Sequence, residues 1–196
     1  MTETGSGEGG AARLPVLPPM RRTARDAEAF ARIVHDGQQD RAGRPYWRHL
    51  KRVANLADDK LPHGTDEETV DLVAQIAWLH DVVEDTPYTA EDLAREGFSP
   101  DVIEGVLALT KPPGRVPYLE WIGHLCATAS LPAILVKLSD TEDNSDPERV
   151  ALLDAAMQAR FAAKYPPARE LLLEAAARHG WEDQRKPRQP SGGPRP

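Results

Sequence analysis

The chain has 196 residues, with 24 Lys and Arg against 31 Asp and Glu and a formal charge of -7. That length suits one domain with a sizeable core, and the acidic balance excludes a nucleic-acid coat or a basic membrane-binding face, though not a local basic pocket. The single cysteine, Cys126, excludes an intramolecular disulfide and reads as packing. No apolar run approaches the ~18 residues needed to span a bilayer, and no secretory signal is evident, which leaves a cytoplasmic protein without membrane or nucleic-acid partners as the default.

Residues 1–22 are rich in Gly, Glu and Pro and lack periodicity, so they are expected to form a disordered leader. Residues 181–196 end in Gln-Pro-Ser-Gly-Gly-Pro-Arg-Pro and read as a disordered tail. The domain lies between, over 23–180.

Within it the pattern is helical. Thr23 suits an N-cap before Ala27, Phe30, Ala31 and Val34, which share one helical face. Pro45 suits the first turn of a second helix with a stripe of Tyr46, Leu50, Val53, Ala54 and Ala57. Thr65 with Glu68 reads as a capping box for a third, and Thr89 with Asp92 for a short helix ending near Gly97. Ser99-Pro100 and Pro117 each open another. Leu131 to Leu138, apolar except for Lys137, fits a buried helix or a buried strand, and helical surroundings favour helix. Two Ala/Leu-rich segments, Pro147 to about Ala163 and Pro166 to about His179, complete an all-α domain of eight or nine helices.

The stretch Ala77-Trp78-Leu79-His80-Asp81-Val82-Val83-Glu84-Asp85-Thr86 runs an apolar face into four residues capable of metal or proton chemistry. On a continuous helix His80, Asp81, Glu84 and Asp85 would fall at about 0°, 100°, 40° and 140°, within one arc. Carboxylates crowded there repel unless a cation relieves them, and a solvated acidic helix end would oppose the helix dipole. His49, flanked by core positions, and Asp140, emerging from a buried run, complete a His…His-Asp…Asp set that suits a first-row transition ion.

These residues resemble the HD superfamily of metal-dependent phosphohydrolases, most of all the hydrolase domain of RelA/SpoT-type alarmone enzymes and their small stand-alone relatives. Three blocks carry the resemblance. They are His35-Asp36-Gly37-Gln38 with Arg41-Ala42-Gly43-Arg44-Pro45-Tyr46 and His49; the Ala77–Thr86 stretch; and Val136-Lys137-Leu138-Ser139-Asp140 with Asn144. The resemblance implies a compact, single-domain HD-type helical bundle. It implies that His49, His80, Asp81 and Asp140 bind one ion, usually Mn²⁺ with other divalent transition metals as alternatives, and that Glu84 and Asp85 orient or deprotonate the attacking water. It places Arg41, Tyr46 and Asn144 at a nucleotide, and His35 in support of the site. Lys111 and Arg115, in a Pro/Gly-rich loop, are further candidates for phosphate charge.

The implied reaction is removal of the 3′-pyrophosphate from a guanosine polyphosphate, (p)ppGpp. Alternatives are an HD phosphohydrolase acting on another nucleotide or phosphate ester, and a catalytically silent nucleotide-binding module. The pattern departs from the family where Asp40 and Ala42 flank Arg41, and where Asp143 stands in place of a common His. Asp40 would repel an anionic substrate and removes one recognition cation.

Overall fold

The computed structural model describes residues 21–183, and among them every regular element is a helix. The expected leader and tail lie mostly outside the described residues. In chain order the helices are α1 (Ala24–Val34), α2 (Trp47–Asp58), α3 (Glu67–Leu79), α4 (Val82–Asp85), α5 (Ala90–Arg95), α6 (Pro100–Leu109), α7 (Tyr118–Thr128), α8 (Leu131–Asn144), α9 (Pro147–Val150) and α10 (Ala155–Arg178). Eight of these have six residues or more, and α4 and α9 are single turns of four. The all-α architecture is the one the sequence implies.

Local chemistry sets most of the boundaries. Thr23 caps α1 in extended conformation, its N–H donating to Asp26 at 2.8 Å, and Ala27 and Ala31 on the inner face are fully buried. Thr89 and Asp92 form the expected capping box of α5, and Ser99 caps α6 with Pro100 in its first turn. The start of α3 differs from expectation. Asp66 caps it, accepting from Thr69 N at 2.8 Å, while the Thr65 hydroxyl is spent on Pro62 O in the preceding turn.

α8 is the axle of the domain. Ten of its residues are buried, including the polar Lys137, Ser139, Asp140, Thr141 and Asp143, as expected of a helix enclosed on all sides. It packs against α2, α3, α6 and α10. α3 crosses α6 at Gly105, where an added Cβ would stand 2.4 Å from Ile76 Cδ1, so the missing side chain is what permits the approach.

At the C-terminal end the structure redraws two expectations. The expected helix from Pro147 divides into α9 and a new helix capped by Asp154, which then runs unbroken through Pro166 and Pro167. Interior prolines cost about 3 kcal/mol each, but Phe161, Tyr165, Ala168, Leu172, Ala175 and Ala176 are buried on both sides of the pair, and that packing holds the helix as one piece. Trp181, read with the tail, is only 5% exposed and donates its indole N–H to Lys60 O at 2.7 Å. The folded domain therefore reaches past residue 180.

Candidate active site

The site forms where α2, the α3–α4 junction and α8 meet. α3 ends at Leu79, the chain turns through His80 and Asp81, and α4 restarts at Val82. The single helical arc expected for His80, Asp81, Glu84 and Asp85 is thus broken. Asp81 occupies the N-cap position of α4 without capping it, forgoing about 1 kcal/mol that such an aspartate usually contributes. Its carboxylate turns inward instead. The break also places Glu84 and Asp85 in the single turn of α4, beyond the end of α3.

His80 is 1% exposed, and its Nδ1 donates to Ala77 O at 2.8 Å. A carbonyl only accepts, so Nδ1 carries a proton, and Nε2 is the nitrogen left to face an ion. That Nε2 is buried without a hydrogen-bond partner, although it lies 2.9 Å from Asp81 Oδ2 and 3.9 Å from Asp140 Oδ1. His49 Nε2 lies 3.7 Å from Asp81 Oδ2 and 3.4 Å from Asp140 Oδ1. Neighbouring ligand atoms on an ion with bonds of about 2.1 Å stand about 3 Å apart. An orphaned buried nitrogen facing converging donors at this spacing fits a divalent ion, and ligand atoms of His49, His80 and Asp81 lie within 4.8 Å of one another.

The surrounding charges hold the carboxylates ionised. Burial opposes the charge on Asp140, but the Lys137 ammonium at 2.8 Å and the two imidazoles outweigh it and keep the carboxyl well below its ordinary range. Asp81 behaves alike, with His80 and His49 overcoming burial. Lys137 stays protonated beside Asp140 despite its burial. Asn144 donates to Asp140 Oδ1 from the next turn, so this residue, expected at the nucleotide, also steadies a candidate ligand.

Tyr46 donates its hydroxyl to Asp81 Oδ2 at 2.6 Å and approaches Asp85 Oδ2 at 3.3 Å. Desolvation raises its proton affinity further, so it remains a neutral donor. His35 is buried, with its ring 5.1 Å from that of Tyr46 and Nδ1 donating to Gln38, so it packs behind Tyr46. Desolvation in the cavity mouth, then the charge of Asp81, push the Asp85 carboxyl above its ordinary value. Glu84 accepts from the backbone N of Lys111 at 3.0 Å.

These groups line a cavity of about 560 Å³, large enough for a nucleotide-sized ligand. Arg41, Tyr46, Lys111, Lys137, Asn144 and Lys164 all face it, whereas Arg115 is exposed and does not line it. Arg41 stands on a tight loop closed by Asp40 N to Arg44 O at 2.8 Å and Tyr46 N to Gln38 O at 3.0 Å. The loop turns at Gly43, with φ of +73°, a value that suits glycine.

The sequence reading missed the far wall, where Lys164 Nζ lies 4.1 Å over the Tyr118 ring and 4.8 Å from the Tyr165 ring. No spacing signal could reveal it, because α7 and α10 meet only in the folded core. Lys137 did carry a signal, as the one cation inside a buried apolar run. Asp40 requires a correction. Its side chain is 4% exposed, caps its own loop by accepting from Ala42 N and Arg44 N at 3.0 Å, and lies 3.3 Å from Arg149. Its charge is thereby answered, and it does not stand as an open repulsive group.

No family model matches the chain. A Haemophilus influenzae guanosine-3′,5′-bis(diphosphate) 3′-pyrophosphohydrolase is 35% identical over 122 residues, which cover 59% of this chain and 17% of that protein. The Escherichia coli bifunctional (p)ppGpp synthase/hydrolase SpoT is 42% identical over 90 residues, covering 44% and 12%. The chain is similar to alarmone hydrolases. It spans under a fifth of the length of these relatives. A solved structure of a metazoan ortholog of SpoT, described as hydrolysing ppGpp, superposes with a TM-score of 0.59 at 22% identity, covering 80% of this chain and 95% of that one. The shared fold thus extends over nearly the whole of that chain.

Proposed function

We propose that the protein is a metal-dependent phosphohydrolase that removes the 3′-pyrophosphate from a guanosine polyphosphate. The observation that carries this reading is the buried, partnerless Nε2 of His80 facing Asp81, Asp140 and His49 Nε2 at the floor of a cation-lined cavity. His49, His80, Asp81 and Asp140 would hold the ion, and Mn²⁺ suits two nitrogen and two oxygen donors. When bound, the ion supplies Lewis-acid polarisation at the reacting phosphate.

The chain's own side chains do the rest. Asp85, with its raised proton affinity, takes a proton from the attacking water, and Glu84 beside it orients that water. Tyr46 holds Asp81 and Asp85 in register through one hydroxyl. Arg41 and Lys111 at the cavity mouth, with Lys164 on the far wall, bind the phosphates of the substrate. The nucleotide is a small-molecule partner in the cytoplasm. Among the described residues no helix is long and apolar enough to cross a membrane.

A second reading, hydrolysis of a different nucleotide or phosphate ester, draws support from the loop before α2, where Arg41 is flanked by Asp40 and Ala42 rather than by further recognition groups. Incubating the purified protein and Mn²⁺ with guanosine and adenosine polyphosphates, NADPH and simple monophosphates separates the two. Pyrophosphate released from 3′-pyrophosphorylated guanosine nucleotides alone is the expected result. Orthophosphate from monophosphates, with none released from the polyphosphates, would transfer the assignment to the second reading.

A further inference from the structure

Behind the candidate ion site lies an ionic group that the reaction itself does not require. Asp143 is 3% exposed, and its Oδ2 accepts from His49 Nδ1 at 2.7 Å. Arg52 donates to the same carboxylate, and Arg149 stands 3.2 Å from it. Arg149 also reaches Asp40 at 3.3 Å, and Arg52 lies 3.8 Å from Asp40. Two acids and two guanidiniums thus balance in charge, and the arginines fix where Asp143 can sit.

The two histidines of the site are held differently. His80 rests on a neutral backbone carbonyl, and His49 rests on a buried, doubly clamped carboxylate. A carboxylate on the remote ring nitrogen fixes both the tautomer and the ring plane, and it makes the other nitrogen a stronger donor to an ion. From this geometry we propose that Asp143 is a positioning residue for His49, locking Nδ1 as the protonated nitrogen so that Nε2 is delivered to the ion. Asp143 occupies one of the positions at which the sequence departs from the resembled pattern. The inference rests on the metal-hydrolase reading above, through its ion but not through its substrate.

Isothermal titration of Mn²⁺ into the full chain tests it without any nucleotide. Asp143→Ala should raise the Mn²⁺ dissociation constant by about tenfold to a hundredfold. Asp143→Asn keeps an accepting oxygen but loses the charge, and should fall between that value and wild type; it carries the test if Asp143→Ala does not fold. Asp40→Asn disturbs the same ionic group without touching His49, and should stay within about twofold of wild type. An unchanged dissociation constant in whichever Asp143 variant folds overturns the inference. So does an equal shift in Asp40→Asn, which would make the effect one of general stability, or a wild-type protein that binds no Mn²⁺. A protein that binds Mn²⁺ with this ranking but leaves guanosine polyphosphates intact would fail only the substrate assignment.

Discussion

Lys137 donates to Asp140 at 2.8 Å from one turn earlier on the same buried helix. A candidate ion ligand therefore carries its own counter-charge, and a bound ion would add a second cation to the same carboxylate. Lys137→Met should destabilise the metal-free protein by about 3–5 kcal/mol, the usual result of breaking a buried pair. Saturating Mn²⁺ should recover part of that loss, because the ion supplies positive charge to the same carboxylate. Thermal melts with and without Mn²⁺ check this, and an equal loss in both conditions would refute it.

The proposed water-activating pair makes a separable prediction. Glu84→Gln combined with Asp85→Asn should abolish turnover while leaving Mn²⁺ affinity within about threefold, since neither supplies a proposed ligand atom. Activity that survives the double change would remove these residues from the mechanism.

Because Asp85 is raised above its ordinary value, the base form is lost as pH falls through a value higher than for a free aspartate. The acid limb of kcat/KM should therefore lie above the ordinary carboxylate position. The Tyr46 hydroxyl bond works in the opposite direction, lowering the Asp85 value. Tyr46→Phe at saturating Mn²⁺ should move the limb to still higher pH, and a limb that moves downward would contradict the assignment.

Lys164 predicts the alkaline side. Burial, followed by repulsion from Lys137, lowers it from 10.5 to about 8. As pH rises through about 8 the ammonium loses its proton, so KM for an anionic substrate should increase. Stability should rise with pH between about 8 and 10.5, because there the unfolded chain binds more protons than the folded one. Lys164→Met should raise KM and abolish this limb. A pH-independent KM in the wild type would exclude Lys164 from binding.

Gly105→Ala tests the packing that seats the site. A helical alanine gains about 1 kcal/mol in propensity over glycine, but its Cβ would overlap Ile76, which is 1% exposed and one turn before His80. Overpacking of this kind costs about 1–3 kcal/mol. The variant should melt at a lower temperature, by denaturation followed with circular dichroism; a stabilised variant would show that Ile76 has room to move.

Much of this was legible in the chain itself, and the reasons differ by element. Capping chemistry and apolar period located α1, α5 and α6 because those signals are local. Residues 80 and 81 stood out because an apolar run ends on them, yet periodicity extended the helix through a place where it breaks. The break serves a carboxylate that turns to the site instead of capping, and local propensity carries no sign of that. Pro166 and Pro167 misled for the converse reason, since tertiary burial on both sides overrides a local breaker. Asp40 looked repulsive only because its partner Arg149 is more than a hundred residues away in sequence. Lys164 was invisible, being placed by two helices whose meeting no spacing records.

One helix carries Lys137, Asp140, Asp143 and Asn144 within two turns, at the centre of the core. Its backbone amides should therefore be among the last to exchange with deuterium, opening only when the whole domain unfolds. An ion bound at Asp140 would lengthen those protection times further, through mass action on the native state. Occupancy of the candidate ion site would then be readable far from any substrate, as slowed exchange in α8.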